Sequence, residues 1–273
     1  MRRILLFLAL AASVAWGAPA VRAAGGKLHL LWLGNSAWRI TTPGGKIIVI
    51  DPWLTQNPST PPEYKNLDKI GKMDVIFVTH AHQDHLGDAP ALAKKYDAPL
   101  WGPAGLDQQL VELGILPANL APRMGIGGTI QPVGPGVSVT MVHAEHSSEL
   151  VWKDPATGKE AMYAAGAPVG LIITFENGLR LYHMGDTALF EDMAFYGQYY
   201  HPDIVLIPIG GHFTMDPVDA AYAINHWLKP HDVIPMHYGI IPQRKGTPAQ
   251  FIEALGKTST RVHDMKPGEE ITF

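Results

Sequence analysis

From residue 27 onward, short apolar runs alternate with turn residues, the pattern of a layered fold built from short strands and helices. Residues 28–33 and 46–50 read as two strands joined across Thr42-Pro43-Gly44-Gly45, a hairpin-like turn. Residues 74–79 (DVIFVT) are almost continuously apolar, as in a strand buried on both faces, and lead through a histidine-rich turn into a helix over 88–95. A strand–helix unit follows near 100–113, then a Gly-rich turn and a strand over 137–142. Residues 171–176 and 179–183 pair across Asn177-Gly178, the strongest short hairpin signal in the chain. Residues 203–209 (DIVLIPI) form another buried strand, and Asp216-Pro217 opens a helix with Asp as cap and Pro in the first turn. Residues 52–62 and 147–168 read as long loops, the second carrying Trp152 and Tyr163. Strands precede helices in both halves, so an α/β layered domain is expected; hairpins mixed with strand–helix units argue against a purely parallel sheet.

The first residues break this pattern. Arg2 and Arg3 precede an apolar run over 4–16, and small residues follow to Ala23-Ala24, the layout of an export signal. Thirteen apolar residues are short for a membrane anchor, which needs about 20, and no later stretch is long enough to span a bilayer. The expectation is a signal peptide over 1–23, a single domain over 24–273, and an exported, periplasmic product that is not an integral membrane protein. Losing residues 1–23 removes Arg2, Arg3 and Arg22 and no acid, which takes the formal charge from −4 to −7. With 21 basic against 25 acidic side chains and no basic run, a nucleic-acid partner is not expected. Zero cysteines exclude disulfides, thiolate metal sites and a cysteine nucleophile.

Thirteen histidines change the picture, because they are not scattered. Thr79-His80-Ala81-His82-Gln83-Asp84-His85-Leu86-Gly87-Asp88 places four ligand-type side chains within six residues, directly after a buried strand. In extended chain His80 and His82 point to one side, while Asp84 and His85 fall where the chain turns into the helix and can serve a second ion. Packed together without a cation, these groups would force like charges and desolvated imidazoles into contact. Imidazole and carboxylate without thiolate suit Zn²⁺, Mn²⁺ or Fe.

The His-x-His-x-Asp-His pattern after an apolar strand resembles the metallo-β-lactamase superfamily of metal-dependent hydrolases. Ala144-Glu145-His146-Ser147-Ser148, Met184-Gly185-Asp186-Thr187 and Pro235-Met236-His237-Tyr238 resemble its later motifs, in order. Trp32-Leu33-Gly34-Asn35-Ser36 and Ile50-Asp51-Pro52-Trp53 resemble the branch of ascorbate-6-phosphate lactonase-like and uncharacterised metal-dependent hydrolases. The resemblance implies a four-layered αβ/βα sandwich with the site at one edge between two internal sheets. It implies two divalent ions, zinc first with Mn²⁺ or Fe as alternatives: His80, His82 and His146 on one, Asp84, His85 and His237 on the other, Asp186 between them. It further implies an enzyme in which a metal-bound hydroxide cleaves a lactone or ester, or a phosphodiester, of a small-molecule substrate. The positive charge of such a centre favours an anionic or carbonyl substrate.

Asp84 and His212 are the catalytic candidates, His212 as proton donor to a leaving group or as an ordinary loop histidine. Asp51 is expected to orient a ligand histidine, His183 to support the core, and His143 to be structural, although it competes with His146 for the third ligand position. Asn35 stands where lactonase-like relatives often carry histidine. The rival readings are β-lactam or other amide hydrolysis, an iron oxidoreductase, and a non-catalytic periplasmic metal-binding protein.

Overall fold

Side chains alternate across a strand, so a strand buried throughout needs a partner layer on each face. The computed structural model, which describes residues 25–273, supplies those layers. The expected signal segment 1–23 lies outside the described residues. One seven-stranded sheet holds β1 (His29–Gly34), β2 (Ala37–Thr41), β3 (Ile47–Ile50), β4 (Val75–Phe77), β5 (Leu100–Pro103) and β6 (Arg123–Met124) in that order. The last strand of the chain, β16 (Glu270–Thr272), returns to pair antiparallel with β1. The second sheet runs β15 (Arg261–Val262), β14 (Asp232–Met236), β13 (Ile204–Pro208), β12 (Arg180–His183), β11 (Val169–Thr174), β8 (Ser138–His143) and β7 (Thr129–Ile130). Both sheets are mixed: β3–β6 and β12–β15 are parallel and the remaining pairs antiparallel.

Residue parity sorts the core. Leu30, Trp32, Val75 and Phe77 of the first sheet share one buried cluster with Leu171, Ile173, Ile204 and Leu206 of the second. The alternate positions Leu31, Leu33, Ile76 and Val78 pack instead with Ala89 and Leu92 of α2 (Ala89–Tyr96) and Leu106 and Leu110 of α3 (Ala104–Glu112). On the far side, Val205, Ile207 and Val233 pack under α4 (Asp192–Tyr200), α5 (Pro217–Tyr222) and α6 (Pro248–Leu255). The result is helix, sheet, sheet, helix, the four-layered sandwich expected, in one domain.

Asp216 caps α5 as expected, its Oδ1 accepting from the Val218 and Asp219 backbone N–H groups at 2.8 and 3.0 Å. The helix continues as a π-helical turn over Ala223–Leu228, with Ala220, Ala223 and Ile224 buried in the core.

Two expectations are corrected. The strand over 28–33 does not pair with 46–50: β2 lies between them, so the Thr42–Gly45 turn joins β2 to β3. Residues 147–168 are not a loop but an antiparallel hairpin of β9 (Glu149–Lys153) and β10 (Glu160–Ala164), with Tyr163 opposite Leu150 and Ala161 opposite Trp152. Leu150, Trp152 and Tyr163 supply its apolar face and pack against the first sheet's outer core, while Val151 and Met162 face solvent.

Candidate metal centre

The candidate ligands gather at one edge of the two sheets, because each follows the carboxyl end of a strand. β4 leads to His80, His82 and α1 (Gln83–Leu86), which carries Asp84 and His85; β8 leads to His146, β12 to Asp186 and β14 to His237. Three groups of ligand atoms are each small enough to surround one ion: His80–His82–His146, His80–His85–Asp186 and Asp84–His85–His237. Asp186 is common ground. Its Oδ1 lies 3.2 Å from His85 Nε2, and its Oδ2 lies 2.9 Å from His237 Nε2 and 3.7 Å from His146 Nε2.

The backbone is strained to make this meeting. Asn35, Asp51 and His237 have φ of 54°, 47° and 57°, a left-handed conformation costing about 1–3 kcal/mol for such residues. Gly185, at φ 63°, has no such option: a Cβ there would sit 2.8 Å from the Val169 carbonyl oxygen, so glycine alone lets Asp186 approach.

Surrounding hydrogen bonds fix which nitrogens face inward. His85 Nδ1–H donates to Asp51 Oδ2 at 2.8 Å, leaving Nε2 for the centre. Asp51 is held by the Thr79 backbone N–H at 2.8 Å and the Thr79 hydroxyl at 2.7 Å, the orienting role expected of it. His82 Nε2–H donates to Glu149 Oε2 at 3.0 Å, so its Nδ1 lone pair faces His80 Nε2 at 2.9 Å. Asp84 Oδ2 accepts from Arg244 Nη2 at 2.7 Å and from Asn35 Nδ2 at 3.3 Å, and Arg244 Nη1 donates to Asn35 Oδ1 at 3.1 Å.

Burial and charge agree with a cation site. Burial pushes the His80 imidazole well below its ordinary range, with repulsion from His85 adding to it, and burial likewise lowers His146. Burial alone would lower His85 too, but Asp186, Asp51 and Asp84 hold it well above the usual histidine value. Against the burial that would raise them, His85 holds Asp84, and His237 with His85 holds Asp186, well below the carboxylate range. His85 Nε2, Asp186 Oδ1 and His237 Nδ1 are buried without a hydrogen-bond partner. Two of these orphans converge on one another, and the donor set is nitrogen and carboxylate oxygen throughout, which fits a divalent transition metal.

Other candidates fall elsewhere. His143 donates from Nε2 to Glu145 Oε2 at 3.2 Å and packs edge-on against Phe190, outside all three ligand groups. His183 is buried, its Nε2–H donating to the Ser36 carbonyl and its Nδ1 accepting from the Gly185 N–H at 3.2 Å. His212 is exposed at φ 63°, edge-on to Phe213, whose ring lies 6.0 Å from the Arg244 guanidinium carbon. It belongs to none of the three groups. Arg244 and Glu149 went unread in the sequence. Arg244 lies 160 positions from Asp84, with no local signal; the short apolar run Leu150-Val151-Trp152 marks the strand carrying Glu149.

The chain is similar to known proteins. Residues 46–238 match the model of the beta-lactamase superfamily domain. A metal-dependent hydrolase of a Polaromonas species is 56% identical over the whole of both chains, and one of a Roseiflexus species is 40% identical over 91% of this chain and 98% of its own. Among solved structures, a metallo hydrolase from the hyperthermophilic archaeon Ignicoccus hospitalis is 34% identical with a TM-score of 0.76, covering 90% of this chain and 98% of that one.

Proposed function

Because the chain belongs to the beta-lactamase superfamily and is a metal-dependent hydrolase, we propose that its two histidine-rich triads hold two divalent ions for hydrolysis of a lactone, ester or phosphodiester bond. His80, His82 and His146 are assigned to one ion, Asp84, His85 and His237 to the other, and Asp186 to both. The observation that carries this reading is the placement of Asp186, whose single carboxylate reaches a histidine of each triad. Zinc, or manganese or iron in its place, would lower the pKa of water from 15.7 toward about 7 and polarise the oxygen of the scissile group.

The chain's own residues prepare that chemistry. Asp51 and Glu149 fix the tautomers of His85 and His82, so that each presents a lone pair inward. Arg244 and Asn35 bond Asp84 Oδ2, the same oxygen that lies 3.4 Å from His237 Nε2, limiting the rotation of the carboxylate. His212, exposed and packed edge-on against Phe213, is assigned delivery of a proton to the leaving group on the sequence reading alone. The reading includes export, with the mature chain beginning at Ala24.

One preparation tests all of this. Protein recovered from the periplasmic fraction of an expressing bacterium should begin at residue 24, contain about two zinc or manganese ions, and turn over a lactone, ester or phosphodiester until a chelator is added. Asp84→Ala should lose one ion and nearly all turnover. Full activity in that variant would reject the two-ion arrangement, and metal-free folded protein would reject the site.

A further inference from the structure

We propose that the cleft between the β9–β10 hairpin and His146 receives the apolar portion of an uncharged carbonyl substrate, a lactone or carboxylic ester, and that Glu149 turns anionic substrates away. This rests on the hydrolase reading above and narrows it. The cleft has a volume of about 450 Å³, within the range of small-molecule sites, and His146 and Glu149 lie in its wall. Met162, Tyr163, Ala165 and Pro168 supply apolar lining, and no lysine or arginine lines it. Met162 is 70% exposed at the rim, an apolar side chain left facing water beside a ligand histidine.

The wall is held in place. A Cβ on Gly105 of α3 would meet the Gly166 backbone nitrogen at 2.6 Å, so the segment following β10 lies directly against that helix. Ser148 joins the hairpin to the ligand loop: its Oγ accepts from the Ala81 N–H at 3.2 Å, and its carbonyl accepts from the Ala165 N–H. The apolar wall is thereby in fixed register with His80 and His82, and binding there costs little ordering.

Charge separates the substrate classes. Counting only two ions, two carboxylates and a hydroxide leaves the centre positive, the basis for expecting an anion. Asp51 and Glu149, set against Arg244, cancel that excess. Glu149 stands at the cleft with its carboxylate 3.0 Å from His82 Nε2, and Glu145 extends the acidic character on the His143 side. A phosphodiester or a carboxylated acyl group entering there meets like charge, whereas an uncharged acyl chain or ring meets methyl and methylene groups.

The test compares kcat/KM on p-nitrophenyl esters of C2 to C8 acids, the ω-carboxylated ester of matched length, and bis(p-nitrophenyl) phosphate. Neutral esters should improve about two- to fourfold per methylene until the cleft is filled. The carboxylated ester and the phosphodiester should be at least tenfold poorer. Glu149→Gln should narrow the gap between carboxylated and neutral esters. Ala167→Trp, at an exposed lining position, should flatten the chain-length series while retaining two ions; Met162→Ala should do so more weakly. Preference for the phosphodiester, or a chain-length series unmoved by both wall variants, would overturn the cleft assignment and leave the hydrolase intact. Loss of every chelator-sensitive turnover in metal-loaded protein would instead overturn the hydrolase reading beneath it.

Discussion

Asp84 Oδ2 is shared between Arg244, Asn35 and His237, and Arg244 makes the shortest of these contacts. Its guanidinium is buried, bonds Asp84 Oδ2 and Asn35 Oδ1, and lies beside Phe213. Removing it leaves Asp84 Oδ2 with only the longer Asn35 bond, at 3.3 Å, and the contacts of His85 and His237. Arg244→Met is expected to reduce metal affinity or turnover by about 10–100-fold, the usual cost of losing a group that orients a ligand. Arg244→Lys should recover only part, since an ammonium does not reproduce the planar fork that meets both partners. Competition with a chromophoric chelator measures the affinity, and an unchanged value in Arg244→Met would show that Asp84 needs no clamp. The same contacts explain Asn35. Its amide donates to the Asp84 backbone oxygen at 3.0 Å and to Oδ2 at 3.3 Å, so the side chain is engaged with a candidate ligand. The cluster over 80–85 was legible because its members are neighbours in sequence; the Arg244–Asn35 clamp was not, because folding alone brings it there.

At the scale of elements, strands carrying strong apolar runs or an Asn-Gly turn were legible, and weakly apolar ones were not. β2 alternates Ala37, Trp38, Arg39, Ile40 and Thr41 and is entered through left-handed Gly34 and Asn35, so it reads as a continuation of the turn. β9 and β10 place polar or exposed residues at every second position, which resembles a loop until Leu150 and Tyr163 are seen to share a face. A buried acid in α3 makes a separate prediction. Asp107 accepts from the Gly102 N–H through both oxygens, and burial pushes its carboxyl up to about 8 despite that bond and the pull of Arg123. The unfolded chain ionises Asp107 near 4 while the folded chain keeps it protonated, so the folded state binds the extra proton between pH 4 and 8. Stability from this group is therefore intact below about pH 4 and falls as pH rises to 8. Asp107→Asn keeps an acceptor without the charge, and its stability relative to the parent should grow by a few kcal/mol between pH 5 and 8, bounded by about 1.4 kcal/mol per pH unit. Urea unfolding of both proteins at the two pH values decides it; a constant difference would mean that Asp107 is ionised in the fold.

For the molecule as a whole, the two sheets meet through a buried apolar layer, and at one edge through the histidines and carboxylates. The sequence revealed β1, β3, β4 and β5 of the first sheet and β8, β11, β12 and β13 of the second, but not which sheet each would join; that follows from face parity and from β16 returning to β1. The consequence is mechanical. His80, His82, Asp84 and His85 follow a strand of the first sheet, whereas His146, Asp186 and His237 follow strands of the second. Ions bound there span both halves, so their binding energy should appear as global stability and not only as activity. Free ion at about 1,000 times its Kd contributes about 4 kcal/mol, which for a domain of this size raises Tm by about 10 °C. Chelation should lower the melting temperature by that order, and restoring zinc or manganese should reverse it. Asp186→Ala, which removes the carboxylate reaching both groups, should shrink the chelator-induced shift even where the variant remains folded. A chelator that abolishes turnover without moving the melting temperature would show that the two sheets are held by their apolar interface alone.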